Sequence, residues 1–137
     1  MGDVSKCRLI DLPRFQDARG SVTFIEPGRW LPFDIRRVYY LYDVPAGSVR
    51  GAHGHRQLEQ MIIAVAGSMD VELDDGFRKR AFHLSRPDQG LYVSSMIWRT
   101  LGRFASGTVC VVLASQRFDE SDYFRDYDEF MAAVAAR

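Results

Sequence analysis

From Ser68 to Leu73 the chain alternates strictly, with Met69, Val71 and Leu73 on one side and Asp70 and Glu72 on the other. A period of two belongs to a β-strand with one buried face. Asp74-Asp75-Gly76 then gives a hairpin turn signal, and Lys79 to Arg86 returns with Ala81 to Leu84 as its apolar centre. Similar runs recur on both sides. Ser21 to Glu26 reads as a strand entered through Asp17-Ala18-Arg19-Gly20, and Arg36 to Val44 is rich in aromatic and β-branched residues. Gln60 to Ala66 is almost continuously apolar and ends at Gly67. Gly90 to Val93, Met96 to Phe104 and Thr108 to Ser115 follow, divided by short turns. Many short strands at regular spacing predict an all-β sandwich or small barrel.

The period changes at the end of the chain. From Ser121 onward Tyr123, Tyr127, Phe130 and Val134 recur at helical spacing, with Ser121 as N-cap and Asp122 favourably placed near the positive helix end. This predicts one C-terminal helix packed against the sheet. No repeat, linker or low-complexity stretch interrupts the pattern, so residues 1–137 read as a single domain.

Composition narrows the function without naming it. Formal net charge is zero, so nothing marks a nucleic-acid groove or a surface for anionic membranes. No apolar stretch approaches the length of a membrane span, and no charged segment precedes an apolar one as in a leader. The two cysteines, Cys7 and Cys110, form neither a redox pair nor a metal-binding spacing, and the chain contains no Asn for glycosylation. A reduced cytoplasm is the expected location.

The chemistry concentrates in Gly47-Ser48-Val49-Arg50-Gly51-Ala52-His53-Gly54-His55-Arg56-Gln57-Leu58-Glu59. Residues two apart on a strand share a face, so His53 and His55 project together, and Glu59 joins them if the strand stays regular. Gly-x5-His-x-His-x3-Glu followed by Gly67 resembles the first cupin motif, with one extra residue before that glycine. A metal-binding cupin usually adds a histidine from a second motif. The matching stretch here runs Gly90-Leu91-Tyr92-Val93-Ser94-Ser95-Met96-Ile97-Trp98, with Trp98 where that histidine falls, and indole is no ligand in that role. His83, mid-strand in Ala81-Phe82-His83-Leu84, lacks the motif context. The expectation is histidine chemistry with no metal and no cofactor, although spacing alone leaves a two-His, one-Glu site open.

Several segments together resemble the nucleotide-sugar 3,4-ketoisomerases that act on dTDP-4-keto-6-deoxyglucose. These are Arg19-Gly20-Ser21, Arg37-Val38-Tyr39-Tyr40, Tyr42-Asp43-Val44-Pro45, Arg50-Gly51-Ala52-His53-Gly54-His55, Leu73-Asp74-Asp75-Gly76, Trp98-Arg99 and Asp119-Glu120-Ser121-Asp122-Tyr123. The resemblance runs from about residue 8 to 130, with small departures at Gly54, Arg56 and Ser94-Ser95. It implies a cupin jelly-roll barrel with one C-terminal helix and a homodimer that exchanges N-terminal strands. It also implies no metal requirement, and a place in pathways to 3-amino-3,6-dideoxyhexoses, where an aminotransferase consumes the 3-keto product.

The residues suit that chemistry. A ketone at C4 acidifies the hydrogen on C3, so isomerisation through an enediol needs a carbon base, a proton shuttle between two oxygens, and donors for developing negative charge. Imidazole, with an ordinary pKa of about 6.5, fits both proton roles. His53 is assigned the carbon proton and His55 the oxygens, with the reverse nearly as well supported. Tyr39 matches an active-site tyrosine of the family. Arg50 is a candidate for the diphosphate or an enolate oxygen, Arg19 for the diphosphate, Tyr92 and Trp98 for the pocket wall, and Glu59 for orienting a histidine. Competing readings are a nucleotide-sugar 3,5-epimerase, disfavoured by the tight His-x-His pair and the short chain, a metal-dependent cupin enzyme, disfavoured by Trp98, and a non-catalytic sugar-binding cupin.

Overall fold

The computed structural model describes residues 2–136. The strands are β1 (Arg8–Asp11), β2 (Arg14–Asp17), β3 (Gly20–Thr23), β4 (Arg37–Leu41), β5 (Arg50–His55), β6 (Gln60–Ala66), β7 (Met69–Asp74), β8 (Lys79–Leu84), β9 (Gln89–Val93), β10 (Trp98–Gly102), β11 (Val109–Ala114) and β12 (Tyr123–Phe124). Two five-stranded sheets form, in orders β1-β9-β6-β11-β4 and β12-β5-β10-β7-β8, and all their pairings are antiparallel. They enclose one core, in which Ile62, Ala64, Leu91 and Val112 of the first sheet meet Val71, Leu73, Phe82 and Leu101 of the second. This is the all-β architecture with one C-terminal helix that the strand and helix periods predict, and it fits the cupin barrel that the family resemblance implies.

The first sheet is apolar on both faces, which is why Gln60 to Ala66 reads as an unbroken apolar run. Its outer side chains Met61, Ile63, Tyr92 and Leu113 are covered by Leu12 and by the segment carrying Ile25, Trp30, Leu31, Phe33 and Ile35. That covering segment is irregular, so the strand expected to reach Glu26 stops at Thr23.

Helix α1 (Tyr127–Ala135) packs on the outer face of the second sheet. Phe130 and Val134 are buried there, worth about 1.5–3 kcal/mol each for apolar burial. Gly54 makes this approach possible, since a Cβ at that position would lie 3.2 Å from the Phe130 ring and 3.2 Å from the Ile97 carbonyl oxygen. The helix begins five residues later than its periodicity suggests. Asp126, not Ser121, is the N-cap, and its carboxylate accepts the N–H groups of Asp128 and Glu129. Residues Glu120–Asp122 instead form a 3-10 turn capped by Asp119, and Tyr123 lies on strand β12. Tyr127, Phe130 and Val134 alone made the helical repeat; Tyr123 matched it by coincidence of spacing.

Strands β2 and β3 stand apart as a two-stranded hairpin. Phe15 and Val22 on it are each 62% exposed. An isolated hairpin with bare apolar side chains is marginal in water unless something covers it.

Candidate active site

Strands β12, β5 and β10 lie side by side in the second sheet, with Tyr123 paired to His55 and Arg99 to His53. Along β5 positions 51, 53 and 55 take the inner face, and both histidines thus point into the barrel as the His-x-His spacing requires. Their rings meet edge to face, 4.8 Å apart, and the Tyr123 ring closes the group at 5.2 Å from His53 and 4.3 Å from His55.

His53 opens onto a cavity of about 210 Å³ that is also lined by Tyr39, Arg37, Arg50, Tyr123 and Arg125. Gly51 lies in its wall with a left-handed φ of 68°. His55 is fully enclosed behind His53. Beneath the pair lies Arg99, 2% exposed, which donates to the Gln60 side-chain oxygen and, at 2.9 Å, to the Ile97 carbonyl. Gln60 in turn donates to the Tyr39 hydroxyl at 2.8 Å. A chain of hydrogen bonds therefore runs from the buried guanidinium to a hydroxyl on the cavity wall.

Electrostatics keep the imidazoles neutral. Burial, then the charge of Arg99, then Arg125 and Arg37, push the His53 pKa down to about 3. Burial, followed by Arg99 and then His53 itself, pushes His55 further down. Burial also lowers the Arg99 pKa to about 10, which leaves it charged at neutral pH. Nε2 of His53, both ring nitrogens of His55, Nε of Arg99 and Nε and Nη2 of Arg37 are buried without a hydrogen-bond partner. Unmet capacity gathered in one place is what a site holds in reserve for a polar ligand. Among the described residues no three His, Cys, Asp or Glu side chains assemble as a metal site.

Tyr39, Arg50 and His53 are thus brought together as the sequence suggests, with His55 behind them. Four other candidates lie elsewhere. Glu59 does not share the histidine face, because β5 ends at His55 and residues 56 to 59 turn before β6 begins. Glu59 bonds the Tyr92 hydroxyl instead, and Gln60 takes the inward place. Tyr92 belongs to the outer layer of the first sheet, beside Phe33 and under the Arg8 guanidinium. Trp98 is on the outer face of β10, pairs with Gly54 in register, and packs on Tyr127 and Phe130 of α1. Arg19 sits on the hairpin, ion-paired with Asp17 at 2.6 Å, and does not line the histidine cavity of its own chain.

Sequence reading missed Arg99, Arg37, Gln60, Tyr123, Arg125 and Asp122. For Arg99 the signal was present: if the outer face of β10 carries Trp98, the next residue is inside. Asp122 is 7% exposed, and its Oδ2 lies 3.5 Å from Nδ1 of His55. Nothing in the local pattern separates it from its acidic neighbours.

The chain resembles known proteins along almost its whole length. The FdtA family model, described as WxcM-like, C-terminal, matches residues 5–135. The TDP-4-oxo-6-deoxy-alpha-D-glucose-3,4-oxoisomerase of Aneurinibacillus thermoaerophilus is 41% identical over 128 residues, 93% of this chain and 92% of that protein. A crystal structure of an Asn-for-His variant of the 3,4-ketoisomerase QdtA from Thermoanaerobacterium thermosaccharolyticum, in complex with TDP-4-keto-6-deoxyglucose, is 36% identical. The match covers 96% of this chain and 95% of QdtA, with a TM-score of 0.92. The Mycobacterium tuberculosis rmlC epimerase shares the fold at a TM-score of 0.73 and 20% identity, over 88% of this chain and 68% of its own.

Proposed function

The chain belongs to the FdtA family of sugar-nucleotide 3,4-ketoisomerases, and from that membership we propose that it converts dTDP-4-keto-6-deoxyglucose to a dTDP-3-keto-6-deoxyhexose through an enediol. The observation that carries this reading is His53, a neutral imidazole on the wall of a cavity of about 210 Å³, backed by a buried cation. The cavity admits a sugar ring, and Arg37, Arg50 and Arg125 on its wall supply positive charge for the diphosphate.

His53 removes the proton on C3. The C3–H electron pair becomes the C3–C4 double bond, and the carbonyl electrons move to O4. Arg99 and the hydroxyl of Tyr39 favour that negative charge, as preorganised donors in a dry site do. His53 then returns a proton to C4, and the hydroxyl proton passes from O3 to O4, with His55 as its relay. The sugar gains and loses nothing, so no electron acceptor is needed. Arg99 also bears on metals: a fixed guanidinium across from His53 repels a second cation at the histidine pair. No metal and no cofactor are required on this reading.

The active form is a homodimer in which each hairpin β2–β3 crosses to the other copy. Its support is the bare Phe15 and Val22 together with an apolar outer surface on edge strand β4, where Val38 and Tyr40 are 54% and 58% exposed. An exchanged hairpin also gives Arg19 a route to the diphosphate of the partner's site. The product, an α-hydroxy ketone with its carbonyl at C3, is the substrate an aminotransferase needs to make a 3-amino-3,6-dideoxyhexose. Cys7 and Cys110 are free and buried, in keeping with the reducing cytoplasm, and among the described residues no helix is long and apolar enough to cross a membrane.

The test is incubation with dTDP-4-keto-6-deoxyglucose in deuterium oxide, followed by NMR. A 3-keto product with deuterium at C4 supports the reading. Epimerisation at C3 or C5 with the ketone still at C4 would replace it with the epimerase.

A further inference from the structure

We propose that Asp122 is a positioning residue for the reaction proposed above, on which this inference rests: it holds His55 in the tautomer that carries hydrogen on Nδ1, leaving Nε2 as the nitrogen free to exchange a proton.

The carboxylate is itself immobile. Its Oδ1 accepts the Gln57 N–H at 2.9 Å, its Oδ2 accepts the Leu58 N–H at 3.1 Å, and its main-chain carbonyl accepts the Arg56 N–H at 2.9 Å. All three donors belong to the residues that immediately follow His55. The turn that ends β5 is therefore locked to the 3-10 turn that delivers Asp122, and Oδ2 is left 3.5 Å from Nδ1 of His55. Strand β12 follows directly and pairs Tyr123 with His55, so the ring is held from its face and from its Nδ1 edge at once.

A neutral imidazole carries hydrogen on one nitrogen and accepts on the other. The group facing Nδ1 is a carboxylate, which only accepts when ionised, and neither His55 nitrogen has another partner. Hydrogen on Nδ1 is the arrangement that satisfies this edge. The contact is longer than a formed hydrogen bond, and it tightens when His55 becomes an imidazolium during turnover, as catalytic contacts commonly do. In that step the O3–H bond breaks and Nε2–H forms. The same proton then leaves Nε2 for O4, and His55 ends neutral. Asp122 supplies the countercharge for the intermediate imidazolium, which Arg99, Arg37 and Arg125 otherwise oppose.

The test begins with the resting enzyme. Histidine labelled with ¹⁵N, assigned by loss of the signal in His55→Gln, is expected to show His55 with hydrogen on Nδ1; hydrogen on Nε2 would overturn the proposal. That measurement uses no substrate, so failure of the ketoisomerase assay leaves it standing and the two readings separable. Asp122→Asn, whose amide donates to Nδ1, is expected to move the hydrogen to Nε2 and to lower kcat by about 10²-fold with little change in KM. In the His55→Gln background the same substitution is expected to cost nothing further. An unchanged kcat, or a loss that adds in full to that of His55→Gln, would show that Asp122 only braces the turn. If Asp122→Asn does not fold, the resting tautomer decides alone.

Discussion

Arg99 stands directly across the strand pair from His53, each the Cα partner of the other in β10 and β5. A guanidinium is seldom taken out of water without a carboxylate, and the desolvation it suffers must be balanced by hydrogen bonds. Here the balance comes from neutral groups, the side-chain oxygen of Gln60 and the carbonyl of Ile97. No carboxylate bonds it directly, and its charge faces the histidines. That arrangement lowers their proton affinity and offers a ready countercharge to an enediolate.

Arg99→Met is therefore expected to lower kcat by about 10²–10³-fold, the usual cost of losing a donor to developing charge. It also removes the second-largest cause of the depressed His53 pKa, after burial, so that pKa rises from about 3 toward the ordinary value. The base must be neutral to act. The acid limb of kcat/KM should lie well below pH 6.5 in the native enzyme and move to higher pH in Arg99→Met. A native profile halved near pH 6.5 by one ionisation would contradict the arrangement.

The two histidines are expected to separate by isotope. His53→Asn should lose both isomerisation and exchange of deuterium into the sugar. His55→Asn should block product formation while some exchange at C3 persists, because forming the enediol needs only the carbon base. Each loss should be about 10²–10⁴-fold. Exchange lost in His55→Asn but kept in His53→Asn would reverse the assignment, and normal turnover in both would remove the histidines from the mechanism.

Stability should fall as the pH drops below the ordinary histidine pKa of about 6.5. In the unfolded chain His53 and His55 take up protons near pH 6.5, whereas folded His53 resists protonation down to about 3 and His55 further. Between those limits the unfolded state binds more protons, so lowering the pH favours unfolding by up to about 1.4 kcal/mol per pH unit for each histidine. Urea unfolding at pH 7.5, 6.0 and 5.5 should show the decline, and His55→Asn should show a shallower one. Equal stability across that range in the native protein would mean that the imidazoles are charged when folded.

Activity should survive chelation and dialysis unchanged, since the proposed steps use only side chains and Arg99 opposes a cation at the histidine pair. Elemental analysis alongside the assay decides. One metal ion per chain, with activity lost on its removal and restored on its return, would require a different mechanism.

Light scattering is expected to give a species of twice the 15.6 kDa chain mass. Phe15→Glu with Val22→Glu should shift it toward the monomer, because both side chains lie bare on the hairpin that the dimer is proposed to exchange. A native monomer at micromolar concentration would refute the dimer. A native dimer untouched by the double substitution would place the interface elsewhere.

The barrel was legible in the chain because alternation is a local property. Met69, Val71 and Leu73 announce a strand with one wet face, and Gln60 to Ala66 a strand buried on both, whatever they pack against. The histidine pair was legible for the same reason, since two residues on one strand share a face. Glu59 and Trp98 show where that logic stops. Counting by twos from His55 puts Glu59 inside only if the strand continues, and it breaks after His55. Trp98 falls at the expected place in the chain but on the outer face, so Arg99 is the residue that meets the histidines. Tyr123 repeats with Tyr127 and Phe130 at helical spacing, yet its strand pairing with His55 prevails over that periodicity. Which strands pair, and in what register, depends on contacts between segments distant in sequence: Asp122 reaches His55 across 67 positions of chain. Local pattern gave each strand its period, while the faces that meet at the site were set by breaks and registers that exist only once the sheets have closed.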